Sequence, residues 1–146
     1  MKAVIQRVKR ASVSAEDRVI GSIGPGLLIL VGVHQDDNRK IMEWVAEKII
    51  NLRIFSDEEG KMNRSVQDCN GELLVVSQFT LYGNIEKGTR PSFIESAKPD
   101  VAEPLYDDMV SYLKDRSNLG VQEGRFGAMM EVELVNDGPV TIIIEK

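Results

Sequence analysis

Histidine and cysteine are almost absent from this chain of 146 residues, which contains one of each. The single cysteine, Cys69, excludes an intramolecular disulfide and is typical of a protein from a reducing compartment. It stands in a polar turn without a basic neighbour that would activate a thiol, so no catalytic cysteine is predicted. One histidine and one cysteine among scattered acidic residues give no metal-ligand spacing. The sequence therefore predicts neither a metal site nor a cofactor.

The only histidine, His34, is predicted to lie in a loop after a buried strand. A Ser–His–Asp arrangement needs a histidine within hydrogen-bond reach of its nucleophile. His34 could take that role only if its loop folded over the site, and a solvated loop position is the favoured interpretation. The Gly-rich spacings that cradle phosphate groups are absent as well.

Long apolar runs are also missing, so neither a membrane-spanning helix nor a signal peptide is expected. The chain carries 18 basic and 23 acidic side chains and a net charge of −5, which argues against binding nucleic acid through bulk charge. An RNA partner would need a local basic patch. The candidate side chains, near the N-terminus and in the central loop, are Lys2, Arg7, Lys9, Arg10, Lys87, Arg90 and Lys98. We expect a cytoplasmic protein without a membrane partner.

The patterns that are present predict a single domain spanning residues 1–146. With 42% hydrophobic and 28% charged residues, a chain of this length can bury one core. Leu27–Val33 is apolar on both faces, as in a strand that is covered on both sides. Phe126–Leu134 alternates as a half-exposed strand would, and Val140–Ile144 is predicted as the final strand.

Helical spacing of apolar residues predicts two helices, over residues 37–50 and over Asp100–Leu113. Asp100 and Glu103 are spaced as a capping residue and its return partner at the start of the second helix. We expect an α/β, or α+β-like, single-domain fold. Its mixed, mostly antiparallel sheets would form an open barrel, with two helices packed on one side.

The segment Leu74–Thr80 begins as a buried strand and turns polar at its end. Scaffolds commonly hold catalytic groups at strand ends, because the sheet keeps the backbone rigid there. The alternation of a strand places Gln78 and Thr80 on one face, and Ser77 and Phe79 on the other. Two alternatives stay equally open, a small pocket or a strand end that satisfies its own turn. Without a nucleophile–base pair, backbone N–H groups aimed at an oxyanion would supply about 3–4 kcal/mol each, which suffices for an activated ester.

Asn136–Thr141 contains the second informative feature, a Gly138–Pro139 pair. The simpler interpretation is a turn between two strands with a trans peptide bond, since cis bonds occupy only about 5–6% of X–Pro positions. In the functional interpretation, Gly138 allows close approach to a ligand and Pro139 fixes the direction of the carbonyls. Arg7, in an otherwise apolar strand, could orient such a loop or bind phosphate, but an exposed cation is favoured.

A series of segments, in order along nearly the whole chain, resembles the D-aminoacyl-tRNA deacylase family. The segments are Met1–Val8, Asn51–Phe55, Gly60–Asn63, Ser77–Leu81, Gly88–Phe93, Gly124–Ala128 and Asn136–Thr141. The resemblance implies an ester hydrolase that releases free tRNA from D-aminoacyl-tRNA and from mischarged glycyl-tRNA. It also implies a homodimer whose sites lie at the subunit interface. The partner would be an aminoacylated tRNA, bound through its acceptor end.

The resemblance further assigns roles to individual residues. Gly138 and Pro139 would form a cis pair that enters the partner's pocket, binds the substrate's amino group and excludes L side chains. The facing wall would be Ser77 to Thr80, and Phe126 and Met130 would border the pocket and the adenine. No base is visible that could activate Thr80, so assistance by the ribose 2′-hydroxyl is favoured over a threonine nucleophile. The rival functions are a non-catalytic RNA-binding module and a general esterase that accepts small activated esters of both D and L configuration.

Overall fold

The computed structural model describes residues 1–146 as one sheet of six strands, a small hairpin and two α-helices. A 3-10 helix at Phe79–Tyr82 follows one of the strands. In chain order the elements are β1 Lys2–Ala15, β2 Arg18–Ile23, β3 Gly26–Gly32, α1 Arg39–Asn51, β4 Phe55–Ser56, β5 Met62–Arg64, β6 Glu72–Ser77, α2 Pro99–Ser117, β7 Val121–Glu123 and β8 Glu131–Glu145.

Strand β1 organises the sheet because both of its edges are paired. One edge runs antiparallel to β8 over almost its whole length. The other edge pairs with β3 through the first half of β1 and with β2 through the second half. Beyond β3 the sheet continues with β6 and β7, which are parallel to their neighbours. Since β2 also lies against β6 and β7, the sheet curls towards a barrel. The expected fold class, with mixed sheets and two helices, is confirmed.

The sheet separates two hydrophobic cores. The larger core lies between the sheet and the two helices, and the smaller core lies inside the curl. Successive residues of β3 alternate between them, with Leu27 and Ile29 in the larger core and Leu28 in the smaller. This alternation explains why Leu27–Val33 is apolar on both faces, as predicted.

The predicted starts of the helices are only partly correct. Helix α1 begins after Asn38, whose side-chain oxygen accepts hydrogen bonds from the Lys40 and Ile41 N–H groups at 3.1 and 3.2 Å. The capping pair predicted for α2 is wrong, because Lys98 precedes the helix and no side chain caps it. Pro99 at the first helical position has no N–H to satisfy and a φ suited to a helix, so α2 begins before Asp100.

Three strand predictions also differ from the structure. Strand β6 ends at Ser77 rather than Thr80, and β8 begins at Glu131 rather than at Phe126. Gly138 and Pro139 are not a turn between two strands, since β8 continues on both sides of them. In the ladder with β1, Gln6 pairs with Thr141 and Val8 with Asn136. Residues 137–140 therefore form a bulge that leaves the ladder. We call these residues the β8 loop.

Candidate active site

A cavity of about 700 Å³ opens where the parallel strands β3 and β6 end. Its walls come from these strand ends, the 3-10 helix, the chain leading into α2, the first turns of α2 and the segment Phe126–Met130. Most of the lining is apolar, and its polar side chains include Ser77, Gln78 and Thr80 at the end of β6 and, in the chain leading into α2, Ser96 and Lys98. Volumes of this size are typical of sites that enclose a small molecule or one end of a larger substrate.

All four residues predicted from the strand end, Ser77 to Thr80, line this cavity. Ser77 is still in register with Val31, and the Gln78 N–H donates to the Val31 carbonyl at 2.7 Å. The chain then turns into the 3-10 helix, so the predicted alternation of Gln78 and Thr80 with Ser77 and Phe79 is wrong. The N–H groups of Phe79 and Thr80 open this helix and have no partner within it.

The Thr80 hydroxyl accepts a hydrogen bond from the Gln78 side-chain amide. No histidine stands near it in the cavity wall, because His34 is not among the lining residues. The His34 ring instead packs on Tyr82 with centroids 5.3 Å apart, and its side chain is half-buried rather than solvated. The site therefore contains hydroxyl, amide and backbone donors but no side-chain general base next to a nucleophile.

Tyr106 is a buried residue of the cavity lining that was not among the predicted site residues, since in the sequence it falls only within the predicted second helix. It is 2% exposed, and its hydroxyl donates to the Val75 carbonyl at 2.9 Å. The same carbonyl accepts from the Gly124 N–H at 2.8 Å. Burial raises the pKa of Tyr106, so its hydroxyl stays protonated and remains a donor. No spacing rule could have identified this bond, since its acceptor is a backbone group in another element.

Phe126 and Met130 both line the cavity. The Phe126 ring lies 5.9 Å from the Tyr106 ring, centroid to centroid, at an interplanar angle of 49°. This tilted contact between the buried Tyr106 ring and the partly buried Phe126 ring stabilises the aromatic part of the cavity. The sulfur of Met130 lies 2.8 Å from the position that a Cβ on Gly124 would take, so Gly124 makes room for Met130.

Gly138 and Pro139 do not line the cavity of their own chain. They are exposed at the tip of the β8 loop, and the peptide bond between them is cis, whereas composition alone favoured trans. Gly138 has φ +138°, and an added Cβ would lie 2.7 Å from Cγ2 of Val140 and 3.1 Å from Nη2 of Arg7. Only glycine fits this backbone and this space.

Arg7 and Asn136 hold the β8 loop in place. Arg7 donates from Nε to the Asp137 carbonyl at 3.0 Å and from Nη1 to the Ile54 carbonyl. The Asn136 side chain accepts from the Val140 N–H at 2.8 Å and donates to the Thr141 hydroxyl at 3.2 Å. The favoured prediction of an exposed Arg7 is wrong, because the residue is 9% exposed and orients the loop. Its bonds to carbonyls compensate the loss of hydration.

No group of three or more His, Cys, Asp or Glu residues is placed so that it could hold a metal ion. Neither helix is long and apolar enough to cross a membrane.

Relatives of this chain match it from end to end. A protein of Thermosipho africanus named D-aminoacyl-tRNA deacylase is 59% identical over 146 residues, covering the whole chain and 97% of that relative. A protein of the same name from Exiguobacterium sibiricum is 56% identical and fully covered. A solved structure described as a c-Myc DNA unwinding element binding protein superimposes with a TM-score of 0.93 at 44% identity, covering 100% of this chain and 99% of that one. A probable eukaryotic D-amino acid tRNA deacylase shares the fold, with a TM-score of 0.85 at 17% identity and coverage of 98% and 97%.

The fold and the strand-end cavity, taken with these relatives, define the class of this protein as a hydrolase. The family model described as D-Tyr-tRNA(Tyr) deacylase matches residues 4–145, and the chain belongs to that family.

Replacing Arg7 by Met should destabilise the protein strongly. The substitution keeps most of the side-chain volume but leaves the carbonyls of Asp137 and Ile54 without their donor, at a cost of about 2–4 kcal/mol. Urea unfolding followed by circular dichroism measures this loss. The matched control is Arg10→Met on the same strand, where the side chain is exposed and a change within about 0.5 kcal/mol is expected. Equal stability of the two variants would contradict the assigned role of Arg7.

Proposed function

We propose that this protein hydrolyses the ester bond of D-aminoacyl-tRNA, releasing free tRNA and the D-amino acid. The observation that carries the proposal is the identity of 59% and 56% with relatives of that name over the whole chain. The cavity supports it, since Ser77 to Thr80 line a largely apolar site that is large enough for an aminoacyl-adenosine end. Because aminoacyl-tRNA is made and used in the cytoplasm, we assign the protein to that compartment.

Chemistry at this site would depend on backbone groups and on the substrate. Water attacks the ester carbonyl carbon, and the carbonyl oxygen becomes an oxyanion that accepts from the N–H groups of Phe79 and Thr80. Such donors contribute about 3–4 kcal/mol each in a site that excludes water. When the intermediate collapses, the bond to the ribose oxygen breaks and that oxygen takes up a proton. The neighbouring 2′-hydroxyl of the RNA assists the proton transfer, since the cavity offers no side-chain base.

The geometry favours this assistance over a threonine nucleophile. The Gln78 amide donates a hydrogen bond to the Thr80 hydroxyl oxygen. This bond occupies a lone pair that the oxygen would need in order to attack the ester. An activated hydroxyl needs the opposite arrangement, with a base that accepts its proton. Thr80 therefore contributes its N–H group and its contact with Gln78 rather than a covalent bond to the substrate.

The site would be completed by a second copy of the chain. Val132 of β8 lines the cavity, whereas Gly138 lies roughly 15–20 Å farther along the same strand. The β8 loop is thus too far away to enter the cavity of its own chain. In a two-fold dimer the same surface meets itself, so each loop can enter the cavity of the other subunit.

An apolar row beside the cavity supports this two-fold contact. Val4 pairs with Leu30 of β3 on one side and with Ile143 of β8 on the other, so the three side chains share one face of the sheet. Ile143 is 69% exposed in the single chain, and Phe79 at the cavity is 57% exposed. Burial of this row against a second copy would remove apolar surface from water.

Chiral selection follows from the inserted β8 loop. Its main-chain carbonyls at Gly138 and Pro139 would bind the substrate's amino group and leave no space for a side chain of L configuration. Glycyl-tRNA would be accepted, because glycine has no side chain that could clash. Exclusion of this kind needs a rigid backbone. The bond that Arg7 donates to the Asp137 carbonyl and the bond that Asn136 accepts from the Val140 N–H would hold the loop in place.

Incubation with D-tyrosyl-tRNA and L-tyrosyl-tRNA tests the proposed activity. We expect release of tyrosine from the D substrate only, since the L side chain is excluded. Release is measured as loss of labelled amino acid from precipitable tRNA, with buffer alone as the control. A protein that leaves both substrates intact would be an RNA-binding module, and one that cleaves both would be a general esterase.

A Thr80→Ala variant should keep much of its turnover in single-turnover assays with D-tyrosyl-tRNA. Its backbone N–H remains, and only the contact with Gln78 is lost. The conservative variant Thr80→Ser serves as the control that retains the hydroxyl. A loss of several powers of ten in Thr80→Ala, with Thr80→Ser active, would instead assign the hydroxyl a covalent role.

Mixed dimers test whether the β8 loop acts in the partner's cavity. Gly138→Leu damages the loop, and Ala128→Trp fills the cavity, so each variant alone should be inactive on D-tyrosyl-tRNA. A co-purified mixed dimer contains one intact cavity that faces one intact loop. We expect it to regain about half the activity of the unmodified dimer, because one of two equivalent sites is restored. If loop and cavity acted within one chain, the mixed dimer would stay inactive.

A further inference from the structure

Lys98 is the only charged side chain among the residues that line the cavity. It is exposed, and it takes part in none of the ion pairs or side-chain hydrogen bonds of the structure. Its neighbours Glu95 and Asp100 are also exposed and do not pair with it. An ammonium group without a carboxylate partner is free to bind an anion.

The position of Lys98 defines one end of the cavity. Lys98 immediately precedes α2 and is exposed, whereas Tyr106 lies in the same helix and is 2% exposed. The two residues are about two helical turns apart, or about 12 Å along the helix axis. The cavity therefore extends along α2 from an exposed cationic mouth to a buried aromatic end.

The rest of the lining offers nothing that would bind a phosphate by charge. Between the two ends the walls consist of apolar side chains and neutral polar groups, including Phe93 and Phe126. These suit a nucleobase and an ester, but a nucleic-acid substrate also brings phosphate groups to the mouth. With a net charge of −5, the protein as a whole repels such groups, so their attraction must be local.

We propose that the Lys98 ammonium binds the phosphate that joins the terminal adenosine of the substrate tRNA to the preceding nucleotide. This inference rests on the proposed function and adds a subsite to the same cavity. The lysine holds the tRNA end in register while the ester lies at Ser77 to Thr80. It takes no part in bond breaking, and its contribution depends on whether the substrate carries that phosphate.

Two substrates that differ in this phosphate separate binding from chemistry. D-tyrosyl-tRNA contains it, whereas the ester of D-tyrosine with adenosine does not. For Lys98→Gln we expect kcat/KM on D-tyrosyl-tRNA to fall about tenfold, mainly through a higher KM. A loss of about tenfold is the size expected for one charge-assisted contact. On the adenosine ester, kcat/KM should be unchanged. Lys98→Arg should retain most of the activity on both, because it keeps the charge.

Salt dependence gives a second readout. The slope of log kcat/KM against log salt concentration should become less steep by about 0.7 in Lys98→Gln, the value for one contact with a single strand. Lys40→Gln, at an exposed lysine on α1 that does not line the cavity, is the matched control and should leave both readouts unchanged. Circular dichroism melting verifies that each variant is folded.

The possible results distinguish this subsite from the activity itself. An equal loss of Lys98→Gln on both substrates, or no loss on either, would overturn the phosphate contact while the proposed function stands. If the unmodified protein cleaved neither ester, the proposed function and the subsite would both be wrong. Only a loss confined to the tRNA substrate, with the reduced salt slope, supports the subsite.

Discussion

The antiparallel pairing of β1 with β8 determines where the cavity and the β8 loop lie relative to each other. Because β1 is paired on both edges, it cannot shift without breaking ladders with β2, β3 and β8 together. Its partner β8 carries Val132 in the cavity wall and, farther along, the bulge that presents Gly138. The distance between cavity and loop is thus fixed by a strand of the sheet rather than by a flexible connection.

The β8 loop is rigid for reasons that involve few residues. Arg7 reaches it from the neighbouring strand, and Asn136 joins its two ends through bonds to Val140 and Thr141. Gly138 supplies a backbone conformation and a space that no other residue can supply. The proposed selection by shape would require that the excluded volume does not yield, and a loop held by these bonds would meet that requirement better than a side chain with free rotamers.

How far the sequence predicted these features depends on the range of the interactions involved. The apolar pattern of Leu27–Val33 and the helical spacing over residues 37–50 predicted elements correctly, because both reflect burial of local segments. Ser77 to Thr80 all line one cavity, as a strand end that forms a pocket would. Their predicted alternation between two faces is wrong, because the chain forms a 3-10 helix after the strand ends at Ser77. The burial of Arg7 and the role of Tyr106 could not be predicted, since each depends on carbonyl groups distant in sequence. The resemblance to a known family, rather than spacing, assigned Phe126, Met130 and Gly138.

The Val75 carbonyl accepts two donors, from Tyr106 in α2 and from Gly124 at the end of β7. This one oxygen atom therefore links β6 to α2 and to the end of β7. The cavity cannot widen here to admit a larger ligand unless both of these hydrogen bonds break. Such a fixed end suits the part of a substrate that does not vary, so differences in size among the amino acids must be accommodated elsewhere in the cavity.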